Sequence, residues 1–282
     1  MGPPRSENPD AVHGASAGLQ PAPPRRLRPP LKWAGGKRWL APHLEPLWRP
    51  YRERRLVELL CGGLAIAIGL AAGRARLNDI SPHACNFYRW LKAGLVIALP
   101  MRNEEQFYYR QRARFNRLIA ADGAESAEAA SLFYYLNRTC YNGLCRFNRN
   151  GEFNVPFGRY RRINYTTDFS AYRELFAPWQ FESGDFERVA LEDGDFVYAD
   201  PPYDVEFTHY AKEDFKWDDQ VRLARHLARH RGPVAASNQA TKRIVELYRG
   251  LGFKLRFFAA PRRISCTGDR TPARELLATR NL

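Results

Sequence analysis

The chain lacks the features that mark a secreted or membrane-spanning protein. Its 282 residues contain no run approaching the roughly 18 consecutive apolar residues of a membrane helix, and the N-terminus has no signal-peptide apolar core. The five cysteines form no Cys-x-x-Cys pair and no cluster with histidine, so neither a disulfide framework nor a zinc site is indicated. We therefore expect a cytoplasmic protein with reduced thiols and no metal.

Acidic residues are scarce relative to basic ones. The 30 Asp and Glu residues face 44 Lys and Arg residues, which leaves a net charge of +14. Such a surplus favours a polyanionic partner, either nucleic acid or an acidic membrane surface, and composition does not choose between them. Hydrophobic residues make up 45% of the chain and aromatic residues 13%, so most of it must fold.

The pattern along the chain predicts an α/β fold. Residues 1–30 hold eight of the 20 prolines, which indicates a disordered, basic leader. A strand at 56–60, a glycine turn, a helix at 65–72 and a strand at 75–79 form a βαβ unit and predict a mainly parallel, Rossmann-like sheet. This alternation resumes at residue 195. We assign 31–98 and 178–282 to the sheet domain and 99–177 to an inserted helical domain.

The tetrapeptide Asp200-Pro201-Pro202-Tyr203 follows a strand-like run. The Asp200 carboxylate and the Pro201 carbonyl can each accept one hydrogen of an exocyclic amine, which suits methyl transfer to that amine's lone pair. Tyr203 offers a face on which a base rotated out of a duplex can stack. An ordinary strand-ending turn is the competing interpretation, because Asp and Pro are common in turns.

Two further segments suit a nucleotide-like cofactor. Glu58 begins the sequence Glu-Leu-Leu-Cys-Gly-Gly-Leu, whose glycines allow the backbone to approach a ligand closely. Asp79 ends the next strand, where a carboxylate can accept both ribose hydroxyl hydrogens. The earlier segment 32–37, Lys-Trp-Ala-Gly-Gly-Lys, combines an aromatic ring with two cations suited to carboxylate or phosphate contacts, but it lacks the Walker spacing.

Residues 138–162 combine six arginines with several aromatic side chains and a single acid, Glu152. Such a mixture is typical of a nucleic-acid surface, and the turn signal at 148–151 predicts a β-hairpin that can enter the major groove. A solvated basic hairpin with its aromatic rings packed inward is the alternative.

Together these residues resemble the Dam-type, or D12 class, family of DNA adenine N6-methyltransferases, from Leu31 to about Leu277. The most specific segments are 141–148, Tyr-Asn-Gly-Leu-Cys-Arg-Phe-Asn, and 151–160, Gly-Glu-Phe-Asn-Val-Pro-Phe-Gly-Arg-Tyr. The resemblance implies S-adenosylmethionine as cofactor, double-stranded DNA as substrate, GATC as a frequent target, and base flipping. It also implies that 99–177 is a target-recognition domain and that a restriction endonuclease is a candidate counterpart. The enzyme would act as a monomer near the nucleoid.

The resemblance also assigns residues. The catalytic group would be Asp200, Pro201, Pro202 and Tyr203. The cofactor would contact Trp33, Lys37, Glu58, Cys61, Gly62, Gly63, Asp79, Asp185, Phe186 and Asp200. By the resemblance, DNA would contact Lys32, Tyr141, Asn142, Leu144, Arg146 and Pro156, with Arg146 reading guanine O6 and N7. The arginine-rich segment itself adds four candidate DNA contacts, Arg138, Asn148, Arg159 and Tyr160.

One departure from the family pattern keeps alternatives open. The family's cofactor turn commonly reads Phe-x-Gly-x-Gly, whereas Leu60 and Leu64 stand here at its first and last positions. A silent DNA-binding protein that has lost its cofactor is therefore one alternative. Another is methylation of a different planar amine, such as cytosine N4, an RNA base or a protein glutamine, although the arginine-rich segment favours DNA.

Overall fold

The computed structural model describes residues 27–204, 215–260 and 273–282, and its centre is a seven-stranded sheet. The strands are β1 Leu56–Glu58, β2 Ala75–Asp79, β3 Trp179–Ser183, β4 Phe196–Ala199, β5 Val234–Gln239, β6 Lys254–Ala260 and β7 Ala273–Arg280. Their order is β3-β2-β1-β4-β5-β7-β6, with β1 to β5 parallel and β7 antiparallel to both neighbours. The predicted mainly parallel α/β sheet is confirmed.

Eight α-helices accompany this sheet within the described ranges. They are α1 Ala41–Trp48, α2 Ala65–Leu70, α3 Pro82–Ala93, α4 Glu105–Ala120, α5 Ala127–Thr139, α6 Ser170–Phe176, α7 Trp217–Arg229 and α8 Lys242–Gly250. Local sequence sets several ends: the Ser81 side chain accepts a hydrogen bond from the Ala84 amide at the start of α3, and Gly94 ends that helix at a φ of 92°. None of these helices is long and apolar enough to cross a bilayer.

The helical segment and the sheet share one apolar core. It includes Leu56 and Phe196 from the sheet together with Phe115 and Phe133 from α4 and α5. The reason is that α3, which follows β2, packs against α5. The division into a sheet domain and an inserted domain at 99–177 stays a prediction.

The predicted leader falls mostly on residues 1–26, which lie outside the described residues. Its last residues are packed: Pro30 is buried, its carbonyl accepts a hydrogen bond from Arg138, and the Arg28 carbonyl accepts one from the Tyr172 hydroxyl. The described residues just before Leu31 are therefore packed on the helices, because these carbonyls accept hydrogen bonds from α5 and α6.

The strand order reverses between β1 and β4. From β1 the chain proceeds to β2 and β3 on one side, and β4 then returns to the other side. In parallel sheets the loops that leave the carboxyl ends of strands diverge at such a switch point and create a crevice. The sheet thereby brings the segments after β1, β2 and β4 to one edge.

Candidate active site

A cavity of about 400 Å³ occupies this crevice. It is lined by most of the predicted cofactor and catalytic residues, namely Trp33, Lys37, Glu58, Cys61, Gly62, Gly63, Asp79, Asp200, Pro201, Pro202 and Tyr203. Ile80, which is 72% exposed, adds an apolar wall. Four segments far apart in sequence, around residues 33–37, 58–66, 79–80 and 198–203, therefore converge on one cavity.

Asp79 orders the glycine turn after β1. Its Oδ2 accepts a hydrogen bond from the Gly62 amide at 2.8 Å, and its Oδ1 accepts one from the Ser81 amide at 2.9 Å. Gly62 adopts a φ of 48°, and the Tyr88 hydroxyl donates to its carbonyl at 2.7 Å. Each Asp79 oxygen retains acceptor capacity for a ligand, because a carboxylate offers about four lone-pair sites.

Two buried carboxyl groups line the cavity beside this turn. Burial raises the pKa of Glu58 to about 8, so its carboxyl group is largely protonated at neutral pH. Its Oε1 has no hydrogen-bond partner in the part of the chain that the structure describes. Burial also raises the pKa of Asp79, which the Ser81 and Gly62 amides partly offset. The cavity thus offers a carboxyl donor as well as acceptors.

The Asp200 carboxylate is held through one of its oxygens. Lys37 Nζ lies 2.7 Å from Oδ1, and the Ser237 hydroxyl donates to the same oxygen at 2.8 Å. Ser237 in turn lies 2.7 Å from the Tyr198 hydroxyl. Burial alone would lower the pKa of Lys37, but Asp200 and Glu275 raise it well above its usual value, so the ammonium stays charged.

The Pro-Pro turn and the tyrosine ring are also held by side chains. Gln220 Nε2 donates to the Pro202 carbonyl at 2.8 Å, and Asn238 Nδ2 fixes Gln220 Oε1 at 2.9 Å. The Tyr203 hydroxyl donates to Glu275 Oε2 at 2.5 Å. These contacts orient the turn toward the cavity instead of leaving it as a free loop.

The sequence did not predict that Gln220 and Glu275 contact the site. A weak signal exists for Gln220, which shares an inward stripe of α7 with Leu223, Ala224 and Leu227. A polar residue on such a stripe indicates a buried hydrogen-bond partner. Glu275 carries no comparable signal, because one charged residue at the start of an apolar strand is also typical of an exposed strand end.

Asp185 and Phe186 follow β3 and are not among the residues that line the cavity. Asp185 pairs with Arg222 at 2.9 Å, and Phe186 is buried below the Arg222 guanidinium. The Asn78 side chain nevertheless donates both to the Leu59 carbonyl after β1 and to the Gly184 carbonyl. The two residues therefore lie beside the site, and their contact with a cofactor stays a prediction.

The arginine-rich segment forms an irregular turn instead of two paired strands. Its arms meet through isolated antiparallel bridges between Phe147 and Phe153 and between Cys140 and Phe157. The predicted turn is present, since the Gly151 amide donates to the Asn148 carbonyl at 3.0 Å. Pro156 has no amide hydrogen to donate to a ladder. Arg146 joins the two arms, because its carbonyl accepts from the Asn154 amide at 3.2 Å and its side chain donates to Asn154 Oδ1 at 2.8 Å.

The aromatic rings and the cations of this segment point to different sides. Phe147 stacks on His83 with ring centroids 4.7 Å apart, and Phe153 is buried, as the alternative interpretation expected. Exposed positions are Tyr141, Asn142, Arg149, Asn150, Gly151, Glu152, Pro156, Arg159, Arg161 and Arg162, so four arginines and one acid are exposed. The packed rings leave a basic face with one exposed aromatic side chain, Tyr141, at 52%.

Other predicted DNA contacts have partners inside the protein. Lys32 Nζ donates to the Arg138 carbonyl at 3.1 Å and lies 3.9 Å from the centre of the Tyr160 ring. Arg159 pairs with Glu105 at 2.8 Å, and the Asn148 side chain accepts from the Asn150 and Glu152 amides. Leu144 is half-buried. Asn148 thus builds the turn, whereas Arg146 and Lys32 are held but partly accessible.

A second cavity of about 800 Å³ adjoins the first. Trp33, Gly35, Gly36, Gly63, Ala65 and Tyr203 line both cavities. The second is lined also by Arg28, Arg38, Arg138 and Tyr165, and Tyr165 is 48% exposed. A basic and aromatic cavity therefore leads from the helical layer to the Pro-Pro turn.

Comparison with known proteins finds a family and several relatives. Residues 33–258 match the profile of the D12 class N6 adenine-specific DNA methyltransferases. The chain is 35% identical over 85% of its length to a DNA N-6-adenine-methyltransferase of Escherichia phage P1, of which it covers only 33%. It is 31% identical to the type II methyltransferase M.MjaIII of Methanocaldococcus jannaschii, matching 86% of this chain and 95% of that protein. With a DNA adenine methylase of Vibrio cholerae it shares 34% identity, over 90% of this chain and 96% of the other.

Proposed function

The chain belongs to the family of D12 class N6 adenine-specific DNA methyltransferases. From this premise we propose that it transfers a methyl group from S-adenosylmethionine to adenine N6 of duplex DNA, in an active site that contains Asp200. The observation that carries the proposal is the contact pattern of Asp200. Lys37 and Ser237 both meet Oδ1. We assign Oδ2 to one hydrogen of the adenine amine.

The residues of the first cavity suit S-adenosylmethionine. Asp79 supplies an acceptor for ribose hydroxyls, Ile80 and Trp33 supply apolar faces for a purine, and Glu58 Oε1 is a buried polar atom without a partner among the described residues. The glycine turn lets the backbone approach the ligand. When bound, the cofactor would supply a methyl group on a sulfonium centre.

The chain's own residues would then prepare the amine. The Asp200 carboxylate and the Pro201 carbonyl each accept one N6 hydrogen, which draws the nitrogen toward tetrahedral geometry and exposes its lone pair. Gln220 holds the adjoining Pro202 carbonyl, and Tyr203 supplies a face for the base. The transfer leaves one surplus proton on the amine, and Asp200 is placed to accept it.

The adenine must leave the base stack to reach this site. We propose that the exposed side of the 138–162 segment contacts the duplex and that the second cavity receives the strand that carries the target. Arg28, Arg38 and Arg138 would contact its phosphates there. Arg146 would read guanine, and GATC, which the family resemblance implies, is the first sequence to test.

The proposed partners beyond DNA follow from the relatives. M.MjaIII and M1.LlaDCHI are named type II methyltransferases, so a restriction endonuclease is a candidate counterpart of this chain. We propose that the chain acts as a monomer, as the family resemblance implies.

The experiment is transfer of labelled methyl groups from S-adenosylmethionine to duplexes with and without GATC, followed by nucleoside analysis. We expect label in N6-methyladenine, lost in Asp200→Ala while DNA binding is largely retained. Asp193→Ala, which removes a surface carboxylate 3.6 Å from Arg231, is the matched control and should keep full activity. Label in N4-methylcytosine or RNA would overturn the substrate assignment, and no label at all would favour a silent DNA-binding protein.

A further inference from the structure

Glu275 is buried behind the first cavity and does not line it. Its position on β7 pairs with Gln239 on β5 and with Phe258 on β6, so the backbone around it is fixed in the sheet. Its side chain has 0% relative exposure. A carboxylate buried without compensating partners is strongly destabilising, because it loses its hydration. Its partners are therefore informative.

The two oxygens of Glu275 meet two different residues of the catalytic site. Oε2 accepts the hydrogen bond from the Tyr203 hydroxyl at 2.5 Å, whereas Oε1 lies 3.5 Å from Lys37 Nζ. Lys37 Nζ also lies 4.7 Å from the centre of the Tyr203 ring. Lys37 is the residue that engages Oδ1 of Asp200. The Glu275 carboxylate, which lies outside the cavity, thus links the Tyr203 ring to Lys37, the cation that contacts Asp200.

We propose that Glu275 is a positioning residue for methyl transfer: its carboxylate fixes the Tyr203 ring and keeps Lys37 on Oδ1 of Asp200. This inference rests on the proposed function of Asp200 and Tyr203. Without the carboxylate, the Tyr203 hydroxyl loses its buried acceptor and the ring can turn away from the base. The Lys37 ammonium would then have Asp200 as its one carboxylate partner and could shift its position. The Asp200 carboxylate could turn with it, so that Oδ2 would no longer point toward the amine.

The ionisation of Glu275 supports this arrangement. Burial raises its pKa to about 7, although Lys37 and the Tyr203 hydrogen bond oppose that rise, and Asp200 adds to it. Among the described residues, Tyr198 is a further titratable group near Glu275, and the charge of Glu275 contributes to the raised pKa of Tyr198. The ionised form accepts the Tyr203 hydrogen bond and attracts the Lys37 ammonium, so we expect kcat to rise with pH through about 7.

The test is Glu275→Gln, which preserves size but removes the negative charge that faces Lys37 and weakens the acceptor for the Tyr203 hydroxyl. We expect kcat to fall roughly tenfold, as when one charge-assisted hydrogen bond is lost, with KM for S-adenosylmethionine within about twofold of the wild type. The rise of kcat near neutral pH should also flatten. Glu192→Gln, which removes a surface partner of Arg55, is the control and should change none of these values.

A double-mutant cycle with Tyr203→Phe separates positioning from a general loss of packing. If Glu275 acts through Tyr203, the double variant should be about as slow as the slower single variant. Additive losses, or wild-type kcat in a folded Glu275→Gln, would overturn the inference. Should Glu275→Gln not fold, Tyr203→Phe removes the same hydrogen bond from the other side, and wild-type kcat in that variant would overturn the inference equally.

The Asp200→Ala variant distinguishes this inference from the proposed function. If Asp200→Ala is inactive while Glu275→Gln keeps wild-type kcat, only the role of Glu275 fails. If Asp200→Ala remains fully active, the proposed site itself is wrong, and the role of Glu275 fails with it.

Discussion

Trp33 lies so close to Gly63 that a Cβ added to Gly63 would come within 2.7 Å of the Trp33 Cβ. Trp33 has little room to retreat, because its neighbour Lys32 is bound on both sides of its backbone. The Lys32 amide donates to Asn137 Oδ1, and Asn137 Nδ2 donates to the Lys32 carbonyl, each at 2.8 Å. The glycine is therefore a requirement of the contact between Trp33 and the turn after β1.

The first prediction concerns this contact. Gly63→Ala should weaken S-adenosylmethionine binding about tenfold or more, since inserting one methyl group into a packed site typically costs 1–3 kcal/mol. The measurement is titration calorimetry with the cofactor. Gly73→Ala is the matched control, because a Cβ at Gly73 meets nothing within 4 Å. Equal affinities of the two variants would show that Trp33 can move aside freely.

The second prediction concerns Leu64, where the family commonly has glycine. Leu64 is buried and adopts a left-handed conformation with a φ of 63°. The losses of buried surface in Leu64→Gly and Leu64→Ala differ only by the Cβ methyl group, but only glycine removes the backbone strain. We expect Leu64→Gly to be more stable than Leu64→Ala by about 1 kcal/mol, the reverse of the usual helix order. Urea denaturation of both variants measures the difference, and a more stable alanine variant would refute the strain.

The sequence predicts the sheet and the cavity lining for a physical reason. Carboxyl ends of adjacent parallel strands meet at one edge, so a glycine turn after β1, Asp79 at the end of β2 and Asp200 after β4 had to converge. The structure explains why the family commonly has glycine at position 64, because the backbone there is left-handed. The sequence alone does not reveal this conformation, since this chain has leucine at that position. Glu275 was missed for a similar reason, because its partners are 72 and 238 residues away in sequence.

The third prediction concerns target reading. Arg146 Nε donates to Asn154 Oδ1 at 2.8 Å, which holds the guanidinium in a defined direction while the side chain remains half-exposed. Arg146→Ala should cost roughly 1–3 kcal/mol of binding to the preferred site and relax sequence preference, as expected for a bidentate guanine contact.

The comparison for Arg146 is Arg149→Ala, an exposed arginine at the tip of the turn. We expect Arg149→Ala to weaken binding to all sequences equally, as loss of a phosphate contact does. Binding to cognate and scrambled duplexes at two salt concentrations separates the two effects. A uniform loss in Arg146→Ala as well would mark Arg146 as a phosphate ligand.

The last prediction concerns Glu58 and pH. Burial raises its pKa from 4.5 to about 8, so the folded state binds the proton more tightly than the unfolded state does. The stability that this protonation contributes is complete below about pH 4.5 and is lost as pH rises to about 8. Glu58→Gln has no such titration. The stability of the wild type relative to Glu58→Gln, from urea denaturation, should therefore fall by a few kcal/mol, on the order of 1.36 kcal/mol per pKa unit, between about pH 5 and 9. Because Glu275 titrates in both proteins, the difference isolates Glu58. Parallel stability curves would mean that Glu58 is already ionised in the folded protein and cannot act as a donor in the cavity.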